Sequence, residues 1–378
     1  VSRAGGPAWV IGLDDPAAAD AAVVGGKGAG LHRLVALGAR VPAGFVVTTE
    51  AFRAALGDRT GDLERPLRAL RPDAAIDEVE RAAAAVRARL LETAAAGPVL
   101  DAVRAAHDRL AGDAVRVAVR SSAVGEDAVG ASYAGEHDTY LEIRGAEAVA
   151  DAVCRCWASL YTARAVSYRG HAGVGTAGAM AVVVQEMVPA RAAGVFMTLN
   201  PANGDRSTVV CEAVWGLGEP LVSGAVTPDR FVLDKISGEV LRREVVAKPR
   251  RLVRSSDGAA SGPTEVPVPP DARERPCLDD AELAELLAVA RRVERAAGVP
   301  QDGEFAVAEP GGPEHVHLLQ TRPETVWSAR APRAATAGPG TRSALSAVLA
   351  TLTRGAATPV ASPTPTPAPH EGKPDHGG

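Results

Sequence analysis

Residues 115–135 read VRVAVRSSAVGEDAVGASYAG, and two kinds of chain lie inside them. Val115, Val117 and Val119 alternate with Arg116, Ala118 and Arg120, which is the period of a strand. From Ser121 onward small residues and glycines replace the alternation, so the strand runs into a loop with Arg120 projecting at its end. Such a loop suits closure over a polyphosphate, and a guanidinium presents a planar fork of donors to phosphate oxygens. The same residues also permit a surface turn in which Arg120 pairs with Glu126 or Asp127, and on this stretch alone the two readings weigh equally.

Outward from this segment both periodicities recur. Helical spacing of apolar residues appears at Asp77–Glu92, Pro98–Gly112, Ala146–Gly170 and Asp279–Gly298. In the last, Asp279 and Glu282 make a capping box ahead of a stripe of Leu283, Leu286, Leu287, Ala290 and Val293. Strand-like runs lie at Val115–Val119, Ala181–Val184, Gly194–Thr198, Thr208–Ala213, Phe231–Leu233, Val240–Val246, Glu304–Ala308 and His315–Leu319. The expected class is mixed α/β (α+β) with several hairpins and no internal repeat.

Composition narrows the function. The chain has 378 residues, 46% hydrophobic but only 3% aromatic, so its core must be built from Ala, Val and Leu, and its length suits two domains or two lobes. A formal charge of −5 gives no broad positive field for a polyanion, so nucleic acid is not expected as a partner. The basic cluster Arg242, Arg243, Lys248, Arg250, Arg251 and Arg254 reads as a solvated hairpin face or a face for an acidic partner. No apolar run approaches the roughly 18 residues needed to cross a bilayer, and no basic-then-apolar leader is visible; no membrane contact and a cytoplasmic location are expected. Cys154, Cys156, Cys211 and Cys277 form no CxxC pair and are read as buried thiols. Past Trp327 the chain turns to Ala, Pro, Thr and Ser, and residues 331–378 are expected to be a disordered tail.

Three further stretches carry chemistry. Gly25-Gly26-Lys27-Gly28-Ala29-Gly30 precedes an apolar run, Leu31 to Leu37, so backbone N–H groups and a cation can meet a phosphate at a helix start. The spacing is not that of a P-loop, and glycines alone are a weak signal. Only four lysines stand beside 37 arginines, however, which marks Lys27 as a selected point charge. Residues 212–229, EAVWGLGEPLVSGAVTPD, join two strands through small residues and say that backbone approaches something closely. Finally, Asp302-Gly303-Glu304 and Gln320-Thr321-Arg322-Pro323 lie on consecutive strands. A hairpin would set Glu304 beside Gln320, either as two oxygen ligands for a hard cation such as Mg²⁺ or as a plain cross-strand hydrogen bond.

The motifs GGKGAGL (25–31), VPAGFVVT (41–48), RSSAVGEDAVGASYAGEHDTYL (120–141), WGLGEPLVSGAVTPD (215–229) and LQTRPET (319–325) occur in that order. Together they resemble the ATP-binding, N-terminal domain shared by phosphoenolpyruvate synthase, pyruvate phosphate dikinase and rifampicin phosphotransferase. The resemblance implies a two-lobed ATP-grasp-like fold, with an N-terminal lobe over residues 8–200 and a C-terminal lobe over 201–330. It implies ATP and Mg²⁺ as cofactors. Lys27, Arg120 and Arg322 would act on the phosphates, and the loop from Gly125 to Gly135 would cover them, with Gly135 and Thr139 close by. Gln185, Met187 and Val188 would frame adenine. Glu304 and Gln320 would be the metal ligands, with Asp302 in support. One departure is Gly303, where the family usually has an apolar residue.

The family's reaction sends a phosphoryl group to a histidine on a separate domain marked by a Gly-rich Thr-Ser-His segment, and this sequence holds no such segment. The expectation is therefore an ATP-binding subunit of a split dikinase, inactive without a partner phosphohistidine protein, with AMP and phosphate as by-products. The alternative is a non-catalytic ATP-binding module or a truncated remnant.

Overall fold

Met180-Ala181-Val182-Val183-Val184-Gln185 is buried along its whole length, so both faces of that strand must be covered. Met180, Val182 and Val184 enter one apolar cluster, whereas Ala181 and Val183 enter another. The computed structural model describes residues 8–71, 74–94, 96–110, 115–124, 138–166, 178–255, 262–325 and 327. The strands are β1 (Val10–Gly12), β2 (Gly44–Val47), β3 (Arg116–Ala123), β4 (Thr139–Arg144), β5 (Met180–Glu186), β6 (Ala190–Met197), β7 (Thr208–Trp215), β8 (Asp229–Asp234), β9 (Val240–Glu244), β10 (Arg250–Val253), β11 (Thr264–Pro267), β12 (Gln301–Ala308) and β13 (Val316–Pro323). The longer helices are α1 (Ala21–Ala36), α2 (Thr49–Leu56), α3 (Ile76–Ala94), α4 (Pro98–Leu110), α5 (Ala146–Ser159) and α6 (Asp280–Ala297).

Two antiparallel sheets organise the chain, ordered β1-β2-β5-β3-β4 and β13-β12-β6-β7-β8-β9, and β10 and β11 form a separate two-stranded ribbon. One face of the first sheet is covered by α2, α3, α4 and α5, whose Phe52, Leu90, Val103 and Trp157 join Val119 and Val184. Phe52 meets Trp157 edge to face at 5.8 Å. Each large side chain so buried contributes about 1.5–3 kcal/mol. The other face shares a second cluster with α1, the second sheet and α6: Val46 and Val183 from the first sheet, Leu31 and Leu34 from α1, Phe196, Phe231 and Phe305 from the second. Helix α1 is thus packed between the two sheets.

Helix α6 follows its sequence signal. Asp279 accepts from the Glu282 backbone N–H at 2.8 Å, the Glu282 carboxylate accepts from Asp279 N–H at 3.0 Å, and Gly298 ends the helix at φ 70°. Helix α5 departs from it. The apolar spacing predicts a helix to Gly170, yet α5 stops at Ser159. There the Ser159 hydroxyl donates to the Cys156 carbonyl at 2.7 Å, and Tyr161 is drawn into the core, donating its hydroxyl to buried Glu64 at 2.9 Å. Residues 167–170 lie outside the described residues, as do the Gly125–Gly135 loop and the segment 331–378.

Five of the six members of the basic cluster sit beside carboxylates. Lys248 is buried against Asp229, Arg242 pairs with Glu244, Arg243 with Asp280, Arg250 with Glu265 and Arg254 with Glu142. All four cysteines are buried and free, and burial pushes the Cys154 and Cys211 thiols up to about 12. No described helix is long and apolar enough to cross a membrane.

Candidate functional site

Strand periodicity sets the site. On β3 the residues Ala118, Arg120 and Ser122 share one face, opposite Gln185, Val183 and Ala181 of β5. Since Ala181 and Val183 lie in the cluster between the sheets, this face looks toward α1 and the second sheet. Arg120 is flanked on β4 by Thr139.

Lys27 stands where α1 bends. The segment predicted to precede a helix is itself within α1, which begins at Ala21 under an Asp20 cap and is broken at Gly25, φ 70° and ψ 175°. The break has a cause in β3: the Ser122 hydroxyl donates to the Val24 carbonyl at 2.7 Å and accepts from Gly28 N–H at 3.1 Å. A Cβ on Gly25 would lie 2.0 Å from the Ser122 carbonyl oxygen, so only glycine fits. One on Gly30 would lie 2.8 Å from the Thr321 oxygen of β13. The glycines therefore serve close packing of α1 against both sheets, and the half-buried Lys27 is held beside Ser122. Its ammonium acts on the nearby Cys156 thiol, which burial nonetheless pushes up.

The second sheet contributes its other face. Phe305 and Leu318 enter the core between the sheets, so Glu304 and its neighbours by two lie on the opposite side. The register pairs Glu304 with Gln320 and Asp302 with Arg322, as the hairpin reading expects. Gly303 has a steric reason: its Cβ would fall 2.2 Å from the ring of Phe196, which fills the space an apolar side chain would otherwise take. Ala306, two residues beyond Glu304, packs with Val188. Burial raises the Asp302 carboxyl above its ordinary value, against the pull of Arg322 at 3.6 Å.

Arg120 joins the two sheets. Its guanidinium donates to Glu304 Oε2 at 2.8 Å and to the Leu319 carbonyl at 3.1 Å. Its carboxylate partner is thus Glu304, 184 residues away, while Glu126 and Asp127 lie outside the described residues. Gln185 is the last residue but one of β5, and Met187 and Val188 lie on the connection from β5 to β6 that joins the sheets. Gln185 is buried and donates to the Pro42 carbonyl at 3.4 Å, while Met187 donates its N–H to the Arg116 carbonyl at 2.9 Å. Gly135 is outside the described residues. Of the sequence candidates, Arg120 and Glu304 meet directly and Gln320 stands opposite Glu304 in the register; the backbone at Lys27 adjoins Gly28, which is bonded to Ser122 on the same face of β3 as Arg120, and Arg322 with Asp302 stands two register pairs along the hairpin.

Sequence reasoning missed part of the site. Glu304, Val195, Glu212 and Arg230 form one row across β12, β6, β7 and β8, and Arg230 approaches Glu212 at 3.5 Å. Only the assembled sheet order shows that row. The close approach expected of residues 212–229 is real: Gly216, φ 76°, would place a Cβ 2.2 Å from the Leu252 oxygen of β10. Ser122 was legible as part of RSS but not as the lock on α1.

Residues 21–339 match the family described as pyruvate phosphate dikinase, AMP/ATP-binding domain. The chain is 44% identical over 321 residues to a rifampicin phosphotransferase from a Streptomyces species, covering 84% of this chain and 36% of that protein. It is 37% identical over 338 residues to the phosphoenolpyruvate synthase of Aeropyrum pernix, covering 81% and 41%. It is also 37% identical over 319 residues to the prodigiosin synthesizing transferase PigC of Serratia marcescens, covering 84% and 33%. The chain therefore spans well under half the length of these curated relatives.

Proposed function

The chain belongs to the pyruvate phosphate dikinase AMP/ATP-binding domain family, and from that premise we propose that it binds Mg·ATP beside the junction where Arg120 of the first sheet meets Glu304 of the second, in an ATP-grasp-like manner, as the nucleotide half of a dikinase. The observation that carries this reading is the Arg120 to Glu304 contact. It brings Arg120, which lies inside β3 because that strand runs on to Ala123 rather than ending at the arginine, to the hairpin that holds Gln320 and Arg322, while the backbone next to Lys27 is fixed to the same strand by the Gly28 N–H to Ser122 bond. Phosphoryl transfer needs positioning and charge neutralisation rather than a protein nucleophile in the nucleotide lobe, and cations from three separate segments supply that.

The donor set fits magnesium carried by a nucleotide. Glu304 and Gln320, in register, offer one carboxylate and one carboxamide oxygen, too few for a protein cage but suited to a hard cation that keeps water and phosphate oxygens. When bound, the ion neutralises charge on the phosphoryl group being transferred. Arg120 and Lys27 then grip phosphate oxygens, Arg322 orients them, and Met187 and Val188 wall the base end.

In the full reaction a histidine on a partner protein takes the β-phosphoryl group, one water is consumed, and AMP and phosphate leave. The test has two arms. Calorimetry should give heat for Mg·ATP with the wild-type chain and little with Lys27→Ala. Mixing the chain with a phosphohistidine-domain protein and β-labelled ATP should mark the histidine and form AMP. No heat would end the nucleotide reading; heat without label or AMP would end the dikinase reading alone.

A further inference from the structure

Among the described residues Glu142 is the one non-glycine with positive φ, at 60°. It sits in a bulge: Val117 faces Ile143 and Val119 faces Tyr140, so Ala118 alone stands against Leu141 and Glu142. The extra residue re-aims its side chain into the protein, where the carboxylate is only 1% exposed. Two cations meet it there. Arg116 of β3 and Arg254, just beyond β10, each approach Glu142 Oε2 at 3.3 Å. Neither Glu142 oxygen makes a well-aligned hydrogen bond. A backbone held in a region that L side chains avoid, carrying a buried charge, persists only where the surrounding structure demands it.

What surrounds it is the connection between the sheets. Arg254 donates to the Met187 carbonyl at 3.3 Å, and Arg116 accepts the Met187 N–H at its carbonyl and donates to the Ser255 carbonyl at 3.3 Å. The same end of β10 is tied down a second time, since Leu217 N–H donates to the Leu252 carbonyl at 2.8 Å. Ala118, Met187 and Leu217, with Leu141 and Leu252 beside them, make a small apolar platform next to the charged cluster. Glu142 thus links β4, β3 and the ribbon at the point where Met187 passes.

We propose that Glu142 is a positioning residue for the base end of the nucleotide cleft: through Arg116 and Arg254 it holds the β10–β11 ribbon and Met187 in the arrangement that receives an adenine. This rests on the reading of the cleft as an ATP site. It makes a demand that a purely structural role does not. Among the described residues Glu142, Arg116 and Arg254 share no hydrogen bond or ion pair with Arg120 or the β12–β13 hairpin at the phosphate end, so only ligands with a base should sense the cluster.

The experiment measures binding of Mg·ATP and of magnesium with inorganic triphosphate to the wild-type chain, to Glu142→Gln and to Arg254→Met. The expected result is a loss of about tenfold for ATP with a change within about twofold for inorganic triphosphate. Equal losses for both ligands, or unchanged ATP affinity in a folded variant, overturn the proposal. If Glu142→Gln does not fold, Arg254→Met decides, because the Arg254 side chain is 40% exposed and its removal leaves Arg116 paired with Glu142. A wild-type chain that binds neither ligand would instead overturn the reading of the site itself.

Discussion

Replacing Glu304 by glutamine should have opposite effects on ATP binding with and without magnesium. Glu304 holds Arg120 at 2.8 Å, with the two side chains 27% and 15% exposed, between a surface pair and a buried one. A charge-assisted hydrogen bond at that depth is worth about 2 kcal/mol, and a neutral carboxamide keeps about half of it. Releasing Arg120 to a phosphate therefore costs about 1 kcal/mol less in Glu304→Gln, which corresponds to about fivefold tighter binding of metal-free ATP. Loss of a carboxylate beside the phosphates acts in the same direction. With magnesium the sign reverses, since a hard cation prefers the anionic oxygen; binding should weaken by about tenfold or more. Titration calorimetry in chelator and in excess magnesium reads both arms on one protein. Weaker binding in both conditions, or a magnesium enhancement equal to that of the wild type, would refute the idea that Glu304 alternates between Arg120 and the metal.

Three further outcomes can be checked by denaturant or thermal unfolding. Gly25→Ala should cost about 3 kcal/mol or more, because its Cβ would meet backbone at Ser122, whereas Gly38→Ala, at φ 68° with open space around it, should cost only about 1 kcal/mol; similar losses would contradict the steric account. Asp302→Asn tests a sign. Because burial raises the Asp302 value in the folded state, folding favours its protonated form, and this group's contribution falls as pH rises from about 4. The asparagine variant should gain relative to wild type across that rise and lose its advantage in acid. Glu282→Ala should cost about 3–5 kcal/mol, well beyond the roughly 1 kcal/mol of Asp279→Ala. Glu282 is fully buried and accepts from Arg191, Gly312 N–H and Asp279 N–H at once, while Asp279 supplies only the cap.

Local patterns were enough for most elements and for one half of the site. The alternation at Val115–Val119, the apolar run at Ala181–Val184 and the capped stripe of α6 each state their own conformation, because periods of 2 and 3.6 are set by neighbours along the chain. Glu304 beside Gln320 was legible for the same reason, since a hairpin register depends on a short loop. Strands β1, β2, β4, β10 and β11 were not so marked. They are short, polar or bulged, and their pairing partners rather than their own residues make them strands.

What tertiary structure decided is which face meets which. Arg120 and Glu304 are 184 residues apart, Gly25 yields to Ser122, Gly303 is empty because Phe196 is full, and Glu142 adopts a left-handed backbone to meet an arginine beyond β10. Each is a contact between segments whose own periodicities carry no information about one another. They are settled only when α1 is buried between two sheets and close packing leaves one arrangement of the facing side chains.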